Sequence, residues 1–199
     1  MQENPIKLAV ITGSIRDGRF GPTVAQWFAG QAERHGGVTV DAIDLADYPI
    51  TSKMPDVMVG AEPDEATQKV LDKLSARLTA ADAFAVVTPE YNHSVPASLK
   101  NVIDWYLDEW KAKPVGLISY GGMGGGLRAA EHLRQIFAEV HATTVRDMIS
   151  FHNAWGAFEK DGQAVSPEGS EGAAKSLTDQ LVWWGNALRE AREKTPYTA

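Results

Sequence analysis

A turn rich in glycine and arginine follows the first apolar run of the sequence, and its residue types suit an anion. Residues 12–21 (Thr-Gly-Ser-Ile-Arg-Asp-Gly-Arg-Phe-Gly) separate the apolar run 6–11 from a helix-like pattern. Glycine lets the backbone bend tightly, and the first N–H groups of a helix are free to bind negative charge. Ser14, Arg16 and Arg19 add a hydroxyl donor and two positive charges. The turn therefore predicts a phosphate site.

The spacing of the glycines limits which phosphate ligand this turn can bind. Gly13-x-x-x-x-Gly18 repeats the first half of a P-loop, but Arg19 and Phe20 replace the lysine and hydroxyl residue that hold the β/γ-phosphates and magnesium. With Gly21, the glycines also miss the G-x-G-x-x-G spacing of a dinucleotide fold. We therefore expect one terminal phosphate. The competing interpretation is an ordinary strand-to-helix connection with solvated arginines.

Two further loops carry ligand-binding residue types, and each follows a continuous apolar run. Residues 89–96 (Pro-Glu-Tyr-Asn-His-Ser-Val-Pro) follow the run 83–88, and their backbone N–H groups can bind the polar edge of a flat heterocycle while Tyr91 or a neighbour packs on it. Residues 120–126 follow the run 115–119 and contain five glycines, so a planar ring could approach this backbone closely. A phosphate end, a polar planar edge and an open face together indicate FMN.

Strand and helix patterns alternate five times, which favours a parallel sheet with helices on both faces. The predicted strands are 6–11, 38–44, 83–88, 115–119 and a short one from 143. The predicted helices run from residue 23 to the Gly36-Gly37 pair, from an Asp64 N-cap to residue 80, and over 97–105, 127–140 and 173–193. Residues 45–63 are expected as a surface excursion and residues 161–172 as a polar loop.

The order of these elements predicts where a ligand binds. In a flavodoxin-like sheet of order 2-1-3-4-5, the ligand crevice lies beyond the carboxyl ends of the strands, where the strand order reverses. The loops after strands one and three bound that crevice, and the loop after strand four lies beside it. We therefore expect residues 1–199 to form one α/β domain, a three-layer sandwich with a single site shared by the three loops.

The composition excludes several classes of function. Nineteen basic and 26 acidic residues give a net charge of −7 without a basic run, which disfavours nucleic acid and anionic membranes as partners. The absence of cysteine excludes disulfides, thiolate metal sites and cysteine nucleophiles. The five histidines lack metal-ligand spacing and Ser14 lacks a nucleophile elbow, so we expect neither a metal nor a catalytic side chain. Without a leader pattern or a membrane-length apolar run, we expect a cytoplasmic protein.

The remaining aromatic and histidine residues leave two questions open. The sequence has six tryptophans, and large rings of this kind are expected mostly in the core or between helices. Residues 151–155 (Phe-His-Asn-Ala-Trp) could form either a pocket wall or an interface. His93 lies in a candidate loop, where it could shape the pocket without taking part in proton transfer.

Three segments of the chain resemble the NADPH-dependent FMN reductase family, which is flavodoxin-like and includes quinone, azo-dye and chromate reductases. The segments are Gly13-Ser14-x-Arg16, Pro89-Glu90-Tyr91-Asn92-x-Ser94-x-Pro96-x-x-Leu99-Lys100-Asn101-x-Ile103-Asp104-Trp105, and Ser119-Tyr120-Gly121-Gly122. The resemblance covers residues 6 to 150, and the long motif from Pro89 is its most selective part.

This resemblance implies bound FMN, NADPH or NADH as the electron donor, and a small acceptor such as a flavin, quinone, azo compound or metal oxyanion. By position it assigns Ser14, Arg16, Arg19, Phe20 and Gly21 to the FMN phosphate loop, Pro89, Glu90, Tyr91 and Asn92 to the rim of the isoalloxazine ring, and Tyr120, Gly121 and Gly122 to its second border. Arg19-Phe20 stand where many members have a hydroxyl residue. The resemblance also implies a homodimer or tetramer, with residues 97–110 in the dimer-forming region.

Two other functions compete with the reductase. A flavodoxin-type electron carrier would bind the same cofactor and exchange electrons with protein partners without oxidising NADPH. The two arginines of the first turn and the modest net charge favour the reductase over such a carrier. A regulatory module that binds a different phosphorylated ligand is the third alternative.

Overall fold

The computed structural model describes residues 4–56 and 60–198 and contains a five-stranded parallel sheet. The strands are β1 (Ile6–Thr12), β2 (Val38–Asp44), β3 (Ala83–Pro89), β4 (Pro114–Tyr120) and β5 (Thr143–Phe151), and the helices are α1 (Gly21–His35), α2 (Glu65–Ala80), α3 (Ala97–Trp105), α4 (Leu127–Glu139) and α5 (Pro167–Lys194). The sheet order is β2-β1-β3-β4-β5, which confirms the predicted flavodoxin-like order.

Alternating side chains of each central strand pack under different helices. In β1, Leu8 and Val10 join the apolar cluster under α1 and α5, whereas Ala9 and Ile11 join the cluster under α2, α3 and α4. Burial on both faces explains why the central strands are continuous apolar runs in the sequence. The sheet is therefore covered on both sides, and its carboxyl edge is the place where loops can form a site.

Several local predictions are confirmed by the structure. Strand β2 and helix α3 have the predicted bounds, and Asp64 is the N-cap of α2, where its Oδ1 accepts a hydrogen bond of 2.8 Å from the Thr67 N–H. A short 3-10 helix, Leu45–Asp47, opens the predicted surface excursion. Residues 57–59 of that excursion lie outside the described residues.

Two elements near the carboxyl terminus differ from the prediction. Strand β5 extends over nine residues and is not short, and α5 begins at Pro167 instead of residue 173. The fixed backbone angle of Pro167 suits the first turn of a helix, and this outweighs the low helix propensity of Gly169 and Gly172. Helix α5 has 28 residues, but no helix in the described ranges is long and apolar enough to cross a membrane.

The expectation that most tryptophans are buried is wrong for half of them. Trp27 and Trp110 lie in the core, but Trp155, Trp183 and Trp184 are 72%, 64% and 37% exposed. The rings of Trp183 and Trp184 pack edge to face on the outer surface of α5, with centroids 5.0 Å apart. Three large apolar surfaces are thus available to solvent.

Side chains from two helices bind the backbone of β5 at residues 145–147, where its pairing with β4 shifts register. Arg134 of α4 donates to the carbonyl oxygens of Val145 at 2.8 Å and of Arg146 at 3.1 Å. From α5, the Oε1 atom of Gln180 accepts a hydrogen bond of 3.1 Å from the Asp147 N–H. These contacts satisfy backbone groups that the irregularity removes from regular pairing with β4, and they hold this part of β5 against α4 and α5.

Lys113, directly before β4, is a buried cation whose charge should make stability depend on pH. It is 6% exposed, and its Nζ donates to the carbonyl oxygens of Leu78 at 2.9 Å and Thr79 at 3.0 Å. Burial, together with repulsion from Arg192, lowers the pKa of Lys113 to about 8 from its ordinary value of 10.5, although Asp82 and Glu109 oppose this shift. The buried ammonium group therefore destabilises the folded state.

We expect the free energy of unfolding to rise between pH 8 and pH 10. Above the pKa of about 8, the folded state loses the Lys113 proton while the unfolded state keeps it, so stability increases with pH. At about 1.4 kcal/mol per pKa unit, the gain is about 2 kcal/mol. Urea unfolding of the parent and of Lys113→Met at several pH values measures this gain in the free energy of unfolding. The same rise in both proteins would contradict the assignment to Lys113.

Candidate functional site

The loop after β1 is fixed against β3 and α3. The Gly13 N–H donates to the Val87 carbonyl at 2.9 Å, and the Ser98 hydroxyl donates to the Gly13 carbonyl at 2.7 Å. A Cβ atom on Gly13 would lie 3.1 Å from the Leu99 side chain and 3.2 Å from the Val87 oxygen, which is tighter than ordinary contact. Glycine at this position lets the first loop lie directly beside the third strand.

A hydrogen bond and a stacking contact join the first loop to the loop after β3. Ser14 is fully buried, and its Oγ shares a hydrogen bond of 2.6 Å with the Tyr91 hydroxyl. The guanidinium carbon of Arg16 lies 3.6 Å from the centre of the Tyr91 ring. Three of the residues predicted for the site, taken from two loops, are therefore in direct contact.

The amino terminus of α1 is open to an anion. Its N-cap is Phe20, no side chain caps the helix, and its first turn has no acidic residue. A Cβ atom on Gly21 would lie 2.9 Å from the Tyr120 hydroxyl oxygen and 3.0 Å from Thr12 Cγ2. Glycine thus allows the helix to start at the carboxyl edge of the sheet. The first N–H groups and the positive end of the helix dipole face this loop.

Arg19 makes an ion pair with the end of β2. Its Nη2 lies 2.7 Å from Asp44 Oδ2, and both side chains are partly buried. The Nε of Arg19 is buried and has no hydrogen-bond partner within the described ranges. Arg19 therefore retains one unpaired donor beside the loop. The next residue, Phe20, packs edge-on against Tyr120 and Phe158, with ring centres 6.2 Å and 5.5 Å apart.

The loop after β3 starts with a tight turn. Tyr91 and Ser94 exchange backbone hydrogen bonds of 2.9 Å and 3.1 Å, and Asn92 and His93 between them have φ angles of 50° and 69°. Two positive φ angles define a type I′ turn, in which asparagine is favoured. Two of the N–H groups predicted to face the crevice are thus used within the turn, while Asn92 and His93 are exposed.

Glu90 binds the start of α4 through Arg128, a residue that the sequence did not indicate. The Arg128 side chain donates from Nε to Glu90 Oε1 at 2.5 Å, and its backbone N–H donates to Oε2 at 3.2 Å. Burial raises the pKa of the Glu90 carboxyl, but the hydrogen bonds from Arg128 outweigh burial and the pKa is lowered. Glu90 is therefore ionised and joins the second loop to the third.

The loop after β4 is held by the segment that follows β5. The Gly121 N–H donates to the Phe151 carbonyl at 3.1 Å, the Ala154 N–H donates to the Gly121 carbonyl at 2.9 Å, and the Asn153 N–H donates to the Gly122 carbonyl at 2.9 Å. These bonds continue the pairing of the two strands beyond the sheet. Gly121 and Gly122 thus form a fixed wall without side chains.

The rest of this glycine loop is equally constrained. Gly125 and Gly126 have φ angles of 59° and 80°, and the hydroxyl groups of Ser119 and Ser150 donate to the Gly125 carbonyl at 2.8 Å and 2.9 Å. A Cβ atom on Gly125 would lie 2.4 Å from the Ser150 oxygen. Any larger residue would therefore clash as well as strain the backbone, so this loop is a rigid part of the site.

The electrostatics of the site favour binding over proton transfer. Arg128 keeps Glu90 ionised, and burial raises the pKa of the Tyr120 hydroxyl well above its usual value, so that it stays protonated. Tyr120 is only 6% exposed, with its ring beneath the start of α1. The arrangement presents positive groups at one end and bare backbone at the other, which suits a planar molecule that ends in an anion.

Comparison with known proteins identifies the family. The family model for NADPH-dependent FMN reductases matches residues 6–156. A quinone reductase of Escherichia coli K12 is 36% identical over 94% of this chain and 98% of its own. An NAD(P)H-dependent FMN reductase of Schizosaccharomyces pombe is 37% identical, and that match spans 60% of each chain.

Comparison of structures supports the same fold. The flavoenzyme NAD(P)H:(acceptor) oxidoreductase of Paracoccus denitrificans superimposes with a TM-score of 0.69, covers 92% of this chain and 98% of its own, and is 24% identical. At this identity, the likeness concerns the fold. Together with the match to the family model, these comparisons show that the chain belongs to the NADPH-dependent FMN reductase family, whose oxidoreductases use FMN as cofactor and NAD(P)H as electron donor.

Proposed function

We propose that this chain transfers electrons from NAD(P)H to a small acceptor and binds FMN with the three loops described above. The observation that carries the proposal is the contact of Ser14 and Arg16 with Tyr91 next to the uncapped start of α1. The Ser14–Tyr91 hydrogen bond fixes the loop that carries the Arg16 guanidinium and precedes the free N–H groups of α1, and a guanidinium with free N–H groups suits a phosphate. The residues present therefore fit FMN.

We assign the two ends of the cofactor to different loops. Arg16 and the start of α1 hold the phosphate, and Ser14 and Arg19, whose donor atoms are buried, fix the loop through Tyr91 and Asp44. The isoalloxazine ring is assigned to Gly121 and Gly122, where the backbone is uncovered by side chains, and to the turn that includes Pro89, Glu90, Tyr91 and Asn92. Phe20 and Gly21 pack against Tyr120, and this packing supports the phosphate loop.

The overall reaction converts NAD(P)H, a proton and an oxidised acceptor into NAD(P)+ and the acceptor reduced by two electrons. Bound FMN supplies the redox chemistry, since it can take a hydride equivalent and release the electrons to the acceptor. The residues of this chain bind and orient. Glu90 and Arg128 fix α4 relative to the turn after β3, and backbone N–H groups left unpaired beside the ring of a bound FMN would favour its reduced, negatively charged form. No catalytic side chain is assigned.

We also propose that the chain forms a homodimer through the face that carries α3. Leu107, Ile15 and Met54 are large apolar residues that are 47%, 51% and 44% exposed. Ile15 lines a small pocket with residues of α3, and Trp105 at the end of α3 donates from Nε1 to the Thr51 carbonyl at 2.9 Å, three residues before Met54. These apolar side chains thus flank one helix, as a dimer interface requires.

The purified protein should be yellow, should release FMN on denaturation, and should oxidise NADPH continuously when 1,4-naphthoquinone is supplied. Visible absorbance and chromatography of the released pigment identify the cofactor, and the loss of NADPH absorbance measures turnover. A yellow protein that oxidises neither NADPH nor NADH would instead be an electron carrier. A colourless protein that does not take up FMN would overturn the assignment.

Replacing Arg16 by alanine should weaken FMN binding about tenfold, since a hydrogen bond to a charged group contributes about 1.5 kcal/mol or more. Riboflavin, which lacks the phosphate, should bind both proteins equally. Titration of the apoprotein, followed by quenching of flavin fluorescence, gives both dissociation constants. Arg146→Ala is the matched control, because the Arg146 side chain is 92% exposed on β5. Equal FMN affinity of Arg16→Ala and the parent would refute the phosphate assignment.

Introducing a charge at Leu107 should dissociate the dimer. Light scattering should give the parent twice the 21.6 kDa mass of one chain, and Leu107→Asp should shift the mass towards a single chain because a buried carboxylate is costly at an apolar interface. Trp183→Asp, on the outer face of α5, is the control and should remain dimeric. The reverse result would place the interface on α5.

A further inference from the structure

A cavity lies beside the candidate site, between the outer edge of β5 and the first turns of α5. Its volume is about 470 Å³, and Met148, Ser150 and His152 line it on one side and Gly169 and Ala173 on the other. This volume lies within the range of pockets that bind small organic ligands. None of the residues assigned above to FMN lines the cavity, so it is distinct from the FMN crevice.

The cavity adjoins the glycine loop through residues that line it. The Asn153 N–H donates to the Gly122 carbonyl at 2.9 Å, and His152 donates from Nδ1 to the Met123 carbonyl at 2.8 Å. The His152 ring also lies so close to the loop that a Cβ atom on Gly125 would be 2.7 Å from it. A ligand whose reacting end lies on the glycine loop can therefore pass over one short segment of the chain and continue into the cavity.

The backbone of β5 presents hydrogen-bonding groups to this cavity. In the described part of the chain β5 is an edge strand, with β4 on one side only. The Phe151 carbonyl accepts a hydrogen bond of 3.1 Å from the Gly121 N–H, so Phe151 and, two residues earlier, Ile149 direct their backbone groups toward β4. The N–H and C=O groups of Met148 and Ser150 therefore point away from β4, on the side of the cavity that these residues line.

Gly169 leaves the α5 wall of the cavity bare, although neither contacts nor backbone angles require glycine there. A Cβ atom on Gly169 would meet no atom of the described residues within 4 Å, and its φ angle is not positive. Gly172 has the same open surroundings but lines a separate groove. A side chain can thus be added at either position without a clash, and only the one at residue 169 would reduce the cavity.

The lining suits an uncharged flat ring with a polar edge. Among the described residues that line the cavity, none is an acidic residue, a lysine or an arginine, and Met148, Phe151 and Val165 supply apolar contacts. A phosphate or carboxylate would therefore find no lysine or arginine partner there. The backbone edge of β5 offers donors and acceptors side by side, which matches adenine, whose edge carries an amino donor next to a ring-nitrogen acceptor.

We propose that this cavity binds the adenosine moiety of the NAD(P)H electron donor, with the nicotinamide on the glycine loop and the rest of the dinucleotide passing over His152 and Asn153. The proposal rests on the reductase activity proposed above, because it places the donor of that reaction. Adenosine takes no part in hydride transfer. Its contacts in the cavity lower the KM for the donor, since binding energy from a part of the substrate that does not react can still hold the reacting end in place.

The test compares Gly169→Leu, which fills the cavity, with the control Gly172→Leu. Both variants should fold, because leucine favours a helix more than glycine does. For Gly169→Leu, we expect the KM for NADPH and for NADH to rise about tenfold, which corresponds to about 1.4 kcal/mol. Reduced nicotinamide mononucleotide, which lacks adenosine, should give the same KM with all three proteins, and FMN content should be unchanged. An equal rise in KM for the donors with and without adenosine overturns the proposal.

Binding without turnover separates this proposal from the proposed function. Isothermal titration of the FMN-loaded proteins with ADP-ribose, which has the adenosine but no nicotinamide, should show the same tenfold loss in Gly169→Leu and none in Gly172→Leu. If the parent oxidises neither NADPH nor NADH but this binding difference is present, the reductase activity is wrong and the adenosine site stands. If the parent oxidises NADPH or NADH but ADP-ribose does not bind, or binds all three proteins equally, the adenosine site is wrong and the reductase activity stands.

Discussion

The reversal of strand order at β1 is the constraint on which the rest of the structure depends. From β1 the chain passes through α1 to β2 at one edge, and then through α2 to β3 on the other side of β1. Because the loops after β1 and β3 leave the sheet in opposite directions, a crevice opens between them. The Ser14–Tyr91 hydrogen bond closes the bottom of that crevice, and the glycine loop after β4 forms its side.

Most of the fold could be predicted because its signals are local. The apolar runs of the central strands reflect burial on both faces, and Asp64 marks the start of α2 because a carboxylate pairs with the free N–H groups of the first turn. The start of α5 was missed because Gly169 and Gly172 are typical of loops. Pro167 suits the first turn of the helix, and the rest of α5 packs on β4 and β5, which a local pattern does not contain.

The sequence predicts which loops form the candidate site, but it does not predict which residues of these loops pair with one another. The three loops were recognised from glycine, proline and arginine content, whereas the pairing of Glu90 with Arg128 and of Arg19 with Asp44 joins residues that are distant in the sequence. These pairs also explain how an acidic protein can accept an anionic cofactor. Glu90 and Asp44 are each neutralised by a guanidinium group, so these two carboxylates do not oppose the positive end of α1.

The irregularity in β5 also affects how copies of this protein can assemble. Arg134 and Gln180 bind the backbone of Val145, Arg146 and Asp147, where the pairing of β5 with β4 shifts register. A bulge bends its strand and makes the edge of a sheet a poorer template for a strand of another chain. Addition of a strand at this edge is thereby disfavoured, and contact through helical faces, which bury side chains and leave the strands of each copy separate, is favoured.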